Sequence, residues 1–499
     1  MAVQRLSARR VAVAALALCT ATLLVFWHSH SRLSNISSSR PYGVATDTDT
    51  DSDAHAHPDS SSDTAAAAAP DLSSARAPFV AWPLRRLCAE QVASGDVVPG
   101  LVFLCDSNSG GPGNIRNYVL TCVRYAVEAG ATGLQVPRIR ARSAGDRADL
   151  FSAHEPLGYM FSEAHFRAAM ADACPHISLF PGGGDGDGDG GLEAIPGVAA
   201  KAARENVPPE RMVRRVTPKH FGGLRAGCDE RDPNRHTDRF GRAFRAWLAG
   251  LAADFDLPPA SWRDPVLVRL SWGVLWDWPV LRDGPELAAT FGGLLRIRED
   301  VLELADRVVG AMREVAASEA EKSRGGNGGG GGGGGDARFL GIHLRTEEDA
   351  LSQWPTYENQ SKGYIHRAQK EGFRGGVAYL ASGSEKEIRR FSKDAQTQMD
   401  LKVMSKYGLV RGKELEKLKS LSWDQQALVD FAVLLESDYF VGVSPSSFSI
   451  NIALKRHLQK EGLYTRQWRV GASDKRSWLV GRYYSYWDDW MFMFDGMWP

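Results

Sequence analysis

Residues 423–457 read WDQQALVDFAVLLESDYFVGVSPSSFSINIALKRH. The stretch predicts a helix, a strand and a second helix in succession. Residues 423–436 set Ala427, Phe431 and Leu434 at helical spacing, and residues 439–443 are a short apolar run rich in β-formers. Pro445 then shapes a turn, and Ser446 and Ser447 open a helix over 446–457. Asp430 lies on the apolar stripe of the first helix, where a carboxylate must find partners. It can accept hydrogen bonds from a base such as guanine, or close a salt bridge inside the protein. The two serines have the same double reading. Hydroxyls and free N–H groups at a helix start bind phosphate, and they also serve as ordinary caps.

Upstream, residues 339–345 read FLGIHLR. As a strand, the segment puts Leu340, Ile342 and Leu344 on one face and Gly341, His343 and Arg345 on the other. Gly341 leaves room for a ligand, and Arg345 offers a planar fork that matches phosphate oxygens. Alternatively Arg345 pairs with Glu347 or Asp349. Strands at 377–381 and 401–404 and a helix at 384–395 complete an alternation that predicts parallel βαβ units.

The first half repeats the pattern with strands at 101–105, 134–136, 177–180 and 266–270, and a long, broken helix over 286–320. Residues 110–117, GGPGNIRN, join a strand to a helix with the stripe Val119, Cys122, Val123 and Ala126. Arg116 stands where a dinucleotide fingerprint needs its third glycine, so a nicotinamide cofactor is not expected. The segment reads as a loop lining a cleft, or as a tight turn with Asn114 capping the helix. Ten glycines in 325–335 mark a linker between the halves or a long surface loop, and the seven in 182–191 read as linker as well. The aromatic tail, 468–499, reads as packing that clamps the two halves, with an acceptor or glycan platform as the alternative.

Residues 11–27 form a 17-residue run without a charge, preceded by Arg5, Arg9 and Arg10. The run predicts a signal anchor with a cytoplasmic tail, 1–10, and a translocated body. A cleaved signal peptide is the alternative. Residues 28–85, rich in Ser, Asp, Thr and Ala, predict a disordered luminal stem. Sequons stand at Asn35 and Asn359. Five cysteines follow the anchor, at 88, 105, 122, 174 and 228, so any disulfides belong to the first half of the body. The 499 residues carry 60 Lys+Arg and 60 Asp+Glu, and a net charge of zero argues against a nucleic-acid partner.

HLRTEED (343–349), the VDF of 429–431 with its downstream SPSSFS, and GPGNIRN together resemble the GDP-fucose protein O-fucosyltransferase family and its fungal relatives. The resemblance covers roughly residues 98–130 and 337–460. It implies an α/β, GT-B fold of two Rossmann-like domains facing a cleft, an acceptor-side domain at 86–324 and a donor-binding domain at 337–467. It also implies inverting transfer of fucose from GDP-fucose to a hydroxyl of a protein or glycan, without a metal or other cofactor, in the Golgi or endoplasmic reticulum. By the same resemblance Arg345 contacts the β-phosphate, His343 holds the nucleotide and Asp430 reads guanine. Ser446 and Ser447 hold phosphate oxygens, Phe448 packs near the base, and Asn114 stands at the reacting centre. The family loop often carries Arg three residues before that Asn; here the position is Gly111. Another nucleotide sugar, or a non-catalytic luminal binding protein with a degenerate site, are the competing readings.

Overall fold

The computed structural model describes residues 70–143, 153–183, 191–217, 221, 240–325, 337–347, 354–458, 470–471, 475–481 and 492–499. The expected anchor at 11–27 lies outside them. Among the described residues no helix is long and apolar enough to cross a membrane. Cys228, Asp349 and most of the tail's aromatic residues also lie outside.

Two five-stranded sheets organise the chain. The first contains β1 (Val98–Leu104), β2 (Ala131–Gln135), β3 (Ser178–Phe180), β4 (Val213–Val216) and β5 (Val266–Leu270), in the order β3-β2-β1-β5-β4. The second contains β6 (Phe339–His343), β7 (Val377–Ala381), β8 (Lys402–Met404), β9 (Tyr439–Val443) and β10 (Ser477–Val480), in the order β8-β7-β6-β9-β10. Every pairing in both sheets is parallel. In the second sheet the chain runs from β6 outward through β7 and β8, then returns to the other side of β6 with β9. The crevice beyond the carboxyl ends of β6 and β9 is therefore a topological switch point, where ligands bind in sheets of this kind.

Local chemistry explains the helices that carry the site. Helix α1 (Trp82–Ala93) precedes β1, and α2 (Pro112–Ala129) starts with Pro at its first position and Gly111 as cap. Helix α3 (Glu299–Gly325) follows a 3₁₀ turn at Phe291–Leu294, which is the break expected within 286–320. Helix α4 (Tyr357–Lys370) and α5 (Glu385–Met399) flank β7, each started by a side-chain cap, Thr356 and Ser384. Helix α6 (Trp423–Leu435) opens with a reciprocal capping box between Ser422 and Gln425. Helix α7 (Ser447–His457) has Ser446 as its N-cap residue.

Strand alternation sorts the core into layers. Val102 and Leu104 pack on one face of the first sheet with Leu192 and Val198. Leu101 and Phe103 enter a larger core that runs on into α6 and α7. Leu340, Ile342 and Leu344 form the outer layer of the second sheet with Tyr364 and Phe391. Full burial of each such side chain contributes roughly 1.5–3 kcal/mol, so the strands are fixed by the faces away from the cleft.

Several ties join the halves. Arg313 of α3 donates to Asp438, which also accepts from the Phe339 N–H at 2.8 Å. The Tyr159 hydroxyl donates to Ser422 Oγ at 2.6 Å. The carbonyl of Trp498 accepts from Arg116 of α2 and from Asn451 of α7, both at 2.7 Å, so the end of the tail clamps the two halves as its aromatic content suggested. Residues 477–480 of the tail are instead strand β10, an edge of the second sheet. Residues 70–81, assigned to the stem on sequence grounds, lie against the body. Phe79 packs on the core, and Arg76 bridges Asp306 at 2.7 Å and Glu299 at 2.5 Å. Disulfides join Cys88 to Cys174 and Cys105 to Cys122, both in the first half.

Candidate active site

A cavity of about 300 Å³ lies between the halves, at the switch point of the second sheet. Every candidate from the sequence lines it: Asn114, His343, Arg345, Asp430, Ser446, Ser447 and Phe448. Two helix N-termini converge on it, those of α2 and α7. Gly113 permits this approach. A Cβ there would stand 2.9 Å from the carbonyl carbon and Oγ of Ser447, and 3.0 Å from the Phe448 nitrogen. The free N–H groups of both helix starts and their dipoles make the cavity favourable for an anion.

The glycine loop is held from below. The Cys105–Cys122 disulfide ties the end of β1 to α2. Arg269 of β5 grips Asp106 through two hydrogen bonds of 2.7 Å. Asn108 accepts from the Arg140 N–H at 2.9 Å and donates to the Arg138 carbonyl at 2.7 Å. Gly111, not Asn114, caps α2. The Asn114 side chain is thus spared, and its Oδ1 is buried with no hydrogen-bond partner among the described residues. Such an acceptor suits a ligand hydroxyl.

Strand β6 ends at His343, and Arg345 follows in the loop. His343 bonds Ser449 Oγ through Nδ1 at 2.7 Å and lies against the Phe448 ring, centroids 4.7 Å apart. Burial pushes its pKa down to about 4; the Glu347 carboxylate opposes this shift and Arg345 reinforces it. The ring is therefore neutral near pH 7. Arg345 donates to Glu347, as one of the two sequence readings allowed, and its guanidinium lies 5.9 Å from the centroid of the Trp354 ring. Glu347 also accepts from the N–H groups of Thr346 at 3.0 Å and Gly383 at 2.7 Å. Burial alone would raise its pKa, but the Arg345 guanidinium outweighs that and holds it below the usual range. The carboxylate thus aims Arg345 along the cavity wall. The room expected at Gly341 is not for a ligand. A Cβ there would meet Ser437 Oγ at 2.5 Å and Leu434 at 3.0 Å, so the glycine admits the end of α6.

Asp430 forms the salt bridge that was its alternative reading, and does so within the cavity. Its Oδ2 accepts from Lys406 Nζ and its Oδ1 from the Tyr379 hydroxyl, both at 2.5 Å. Burial, then the Asp430 charge, raise the Tyr379 pKa well above the ordinary value, so the phenol stays a donor. Ser446 stands at the N-cap of α7 but makes no side-chain cap bond, which leaves its hydroxyl for other use.

Sequence reasoning missed Lys406, Glu347 and Trp423 as cavity residues, and also Arg142. The Arg142 guanidinium lies 4.5 Å from the Trp423 ring centroid, and its N–H donates to Asp424 Oδ2 at 3.0 Å. Gly111 has open space around it, and Arg142 brings a guanidinium to the same cavity from another loop.

Two parallel α/β sheets flank the cleft, and in it two helix starts, a guanidinium and a buried carboxylate meet in an arrangement suited to an anionic ligand. Residues 286–459 match the family described as GDP-fucose protein O-fucosyltransferase. The match spans the second half of the site, including His343, Arg345, Asp430, Ser446, Ser447 and Phe448. Among solved structures, POFUT1 in complex with GDP-fucose is 13% identical over 77% of this chain and 99% of that chain, with a TM-score of 0.40. NodZ alpha-1,6-fucosyltransferase soaked with GDP-fucose is 12% identical over 72% and 92%, with a TM-score of 0.32. A mutant of Arabidopsis thaliana FUT1 in complex with GDP is 12% identical over 75% and 76%, with a TM-score of 0.34. No curated protein matches the chain.

Proposed function

We propose that the chain transfers fucose from GDP-fucose with inversion, to a hydroxyl of a protein or glycan, and that the cavity between its sheets is the donor site. The observation that carries this reading is the convergence of Arg345 and the starts of α2 and α7 on one cavity that also holds Asp430. As the anomeric C–O bond breaks, negative charge grows on the β-phosphate. Arg345 and the N–H groups around Ser446 and Ser447 stabilise it, a role in which preorganised donors contribute most to rate. Asn114 orients the acceptor hydroxyl through its unpartnered Oδ1, on the side of the sugar supplied by the first half. His343, being neutral, contacts the nucleotide by hydrogen bonding and not by charge. Asp430 reads the guanine edge, and Phe448 packs beside the base.

In this mechanism the leaving charge needs no divalent ion. Turnover is expected to persist in EDTA; complete loss, restored by Mn²⁺, contradicts the proposal. The uncharged run at 11–27 and the two disulfides support a membrane-anchored enzyme with its body in an oxidising lumen. Retention of the N-terminus in the carbonate-washed membrane pellet is the expected result, and a soluble product starting soon after Trp27 contradicts it. The donor is tested by titrating the full chain with nucleotides and following its melting temperature. GDP and GDP-fucose are expected to raise it. An equal or larger rise with UDP-sugars overturns the guanine assignment.

A further inference from the structure

The pair formed by Lys406 and Asp430 has capacity that its internal bonds do not use. Each residue is 6% exposed, and both face the donor cavity. An ammonium carries three N–H donors, and a carboxylate offers about four acceptor positions. Among the described residues the Lys406 ammonium has one hydrogen-bond partner, Asp430 Oδ2. Asp430 spends one further position on the Tyr379 hydroxyl. Two donors and about two acceptor positions therefore remain side by side, with the Tyr407 and Trp423 rings at the same cavity wall.

That order of donor beside acceptor is the complement of one base edge. Guanine presents the O6 acceptor next to the N1–H and 2-amino donors. Adenine would set its 6-amino donor against the ammonium. Uracil would match with O4 and N3–H but bring its O2 acceptor against the carboxylate where guanine has its 2-amino donor. Each wrong base thus leaves a buried charge facing a group of the wrong sense, which discriminates more strongly than lost contact alone.

We propose that Lys406 is a specificity-determining residue that donates to guanine O6, while Asp430 accepts from N1–H and the 2-amino group. The inference rests on the donor-site reading above and deepens it by giving the lysine a role in base choice. A lysine that only neutralises Asp430 would support any nucleotide bound there equally.

The test is the dissociation constant of the full chain for GDP, 6-thio-GDP, IDP and UDP, in the wild type and in Lys406→Met. 6-Thio-GDP keeps the donors of guanine but weakens the acceptor at position 6, and IDP lacks only the 2-amino group. The wild type is expected to bind GDP about tenfold or more tightly than 6-thio-GDP. In Lys406→Met that ratio should collapse towards one while the GDP/IDP ratio, which reports on Asp430, is kept. An unchanged GDP/6-thio-GDP ratio, or a parallel fall of both ratios, overturns the role of Lys406. If Lys406→Met does not fold, Lys406→Gln serves in its place, with a reduced ratio expected and an unchanged one overturning the inference. A wild type that binds UDP as well as GDP removes the guanine assignment on which this inference rests. GDP preference without sensitivity to Lys406 removes only this inference.

Discussion

Gly113 is where the two halves of the cavity come closest, and replacing it with alanine tests whether that approach matters. The added methyl would lie 2.9 Å from Ser447 C and Oγ and 3.0 Å from Phe448 N. Ordinary contact begins near 3.5 Å, so the starts of α2 and α7 must part by about 0.5 Å. Two of the three atoms are backbone, and no side-chain rotation relieves them. Overpacking of this kind costs about 1–3 kcal/mol, and the gain of alanine over glycine in a helix returns up to about 1 kcal/mol. The net loss of stability should be about 0–3 kcal/mol, leaving the protein folded. The site is more sensitive, because a misplacement of about 1 Å can cost 100-fold in rate and half of that about tenfold. Gly113→Ala is therefore expected to lose about tenfold or more in GDP-fucose turnover and to bind GDP more weakly, with a small change in melting temperature. Gly310→Ala on α3, outside the cavity lining and with nothing within 4 Å of its methyl, is the control and should be close to wild type. Full turnover and full GDP affinity in Gly113→Ala would refute the idea that the converging helix starts form the anion site.

Three further outcomes follow from the same geometry. His343, whose pKa burial lowers to about 4 from an ordinary 6.5, binds a proton more readily unfolded than folded between those values. Its contribution to stability is thus complete above about pH 6.5 and is lost as pH falls towards 4. The melting temperature should drop over that range, and by less in His343→Gln; equal drops remove His343 as a source. The Cys105–Cys122 bridge closes a 17-residue separation, for which chain entropy predicts about 3 kcal/mol. Cys105→Ser/Cys122→Ser should melt well below wild type and show weakened GDP binding, because the bridge supports the glycine loop; unaltered binding in the folded variant would detach the bridge from the site. Glu347→Gln removes the charge that aims Arg345, and turnover is expected to fall while GDP affinity is largely kept. A Glu347→Gln enzyme at wild-type rate would show that Arg345 needs no such guide.

The alternation of apolar runs made both sheets legible. Strands Val266–Leu270, Val377–Ala381 and Tyr439–Val443 occupy the predicted residues. Strand Val213–Val216 was not legible, because its VRRV pattern lies on an edge with two exposed arginines. Residues 477–480 were hidden in an aromatic tail whose composition suggested packing alone. The site divided in the same way. His343, Arg345, Asp430 and the serines sit on elements whose local pattern exposes them as polar residues at strand ends or on apolar faces. Lys406 and Arg142 come from short connecting segments without periodicity, and only the crossover topology brings them to the cavity. Gly341 shows the limit of local reasoning. A missing side chain on the cleft-facing side of a strand reads as room, and it takes the path of α6 to show that the room is filled.

The central claim is that Arg345 acts on the donor diphosphate and is more than the partner of Glu347. The most direct measurement is the rate of GDP release from GDP-fucose, including slow transfer to water, by Arg345→Ala and Arg345→Lys, with melting temperature read on the same preparations. Lysine keeps the charge but not the planar fork, and loss of one donor aimed at developing charge costs on the order of 10²–10³ in rate. Both variants are expected to lose most of their turnover while melting near wild type, because Leu340, Ile342 and Leu344 on the opposite face hold the strand. Near-normal GDP release by a stably folded Arg345→Ala would contradict the account.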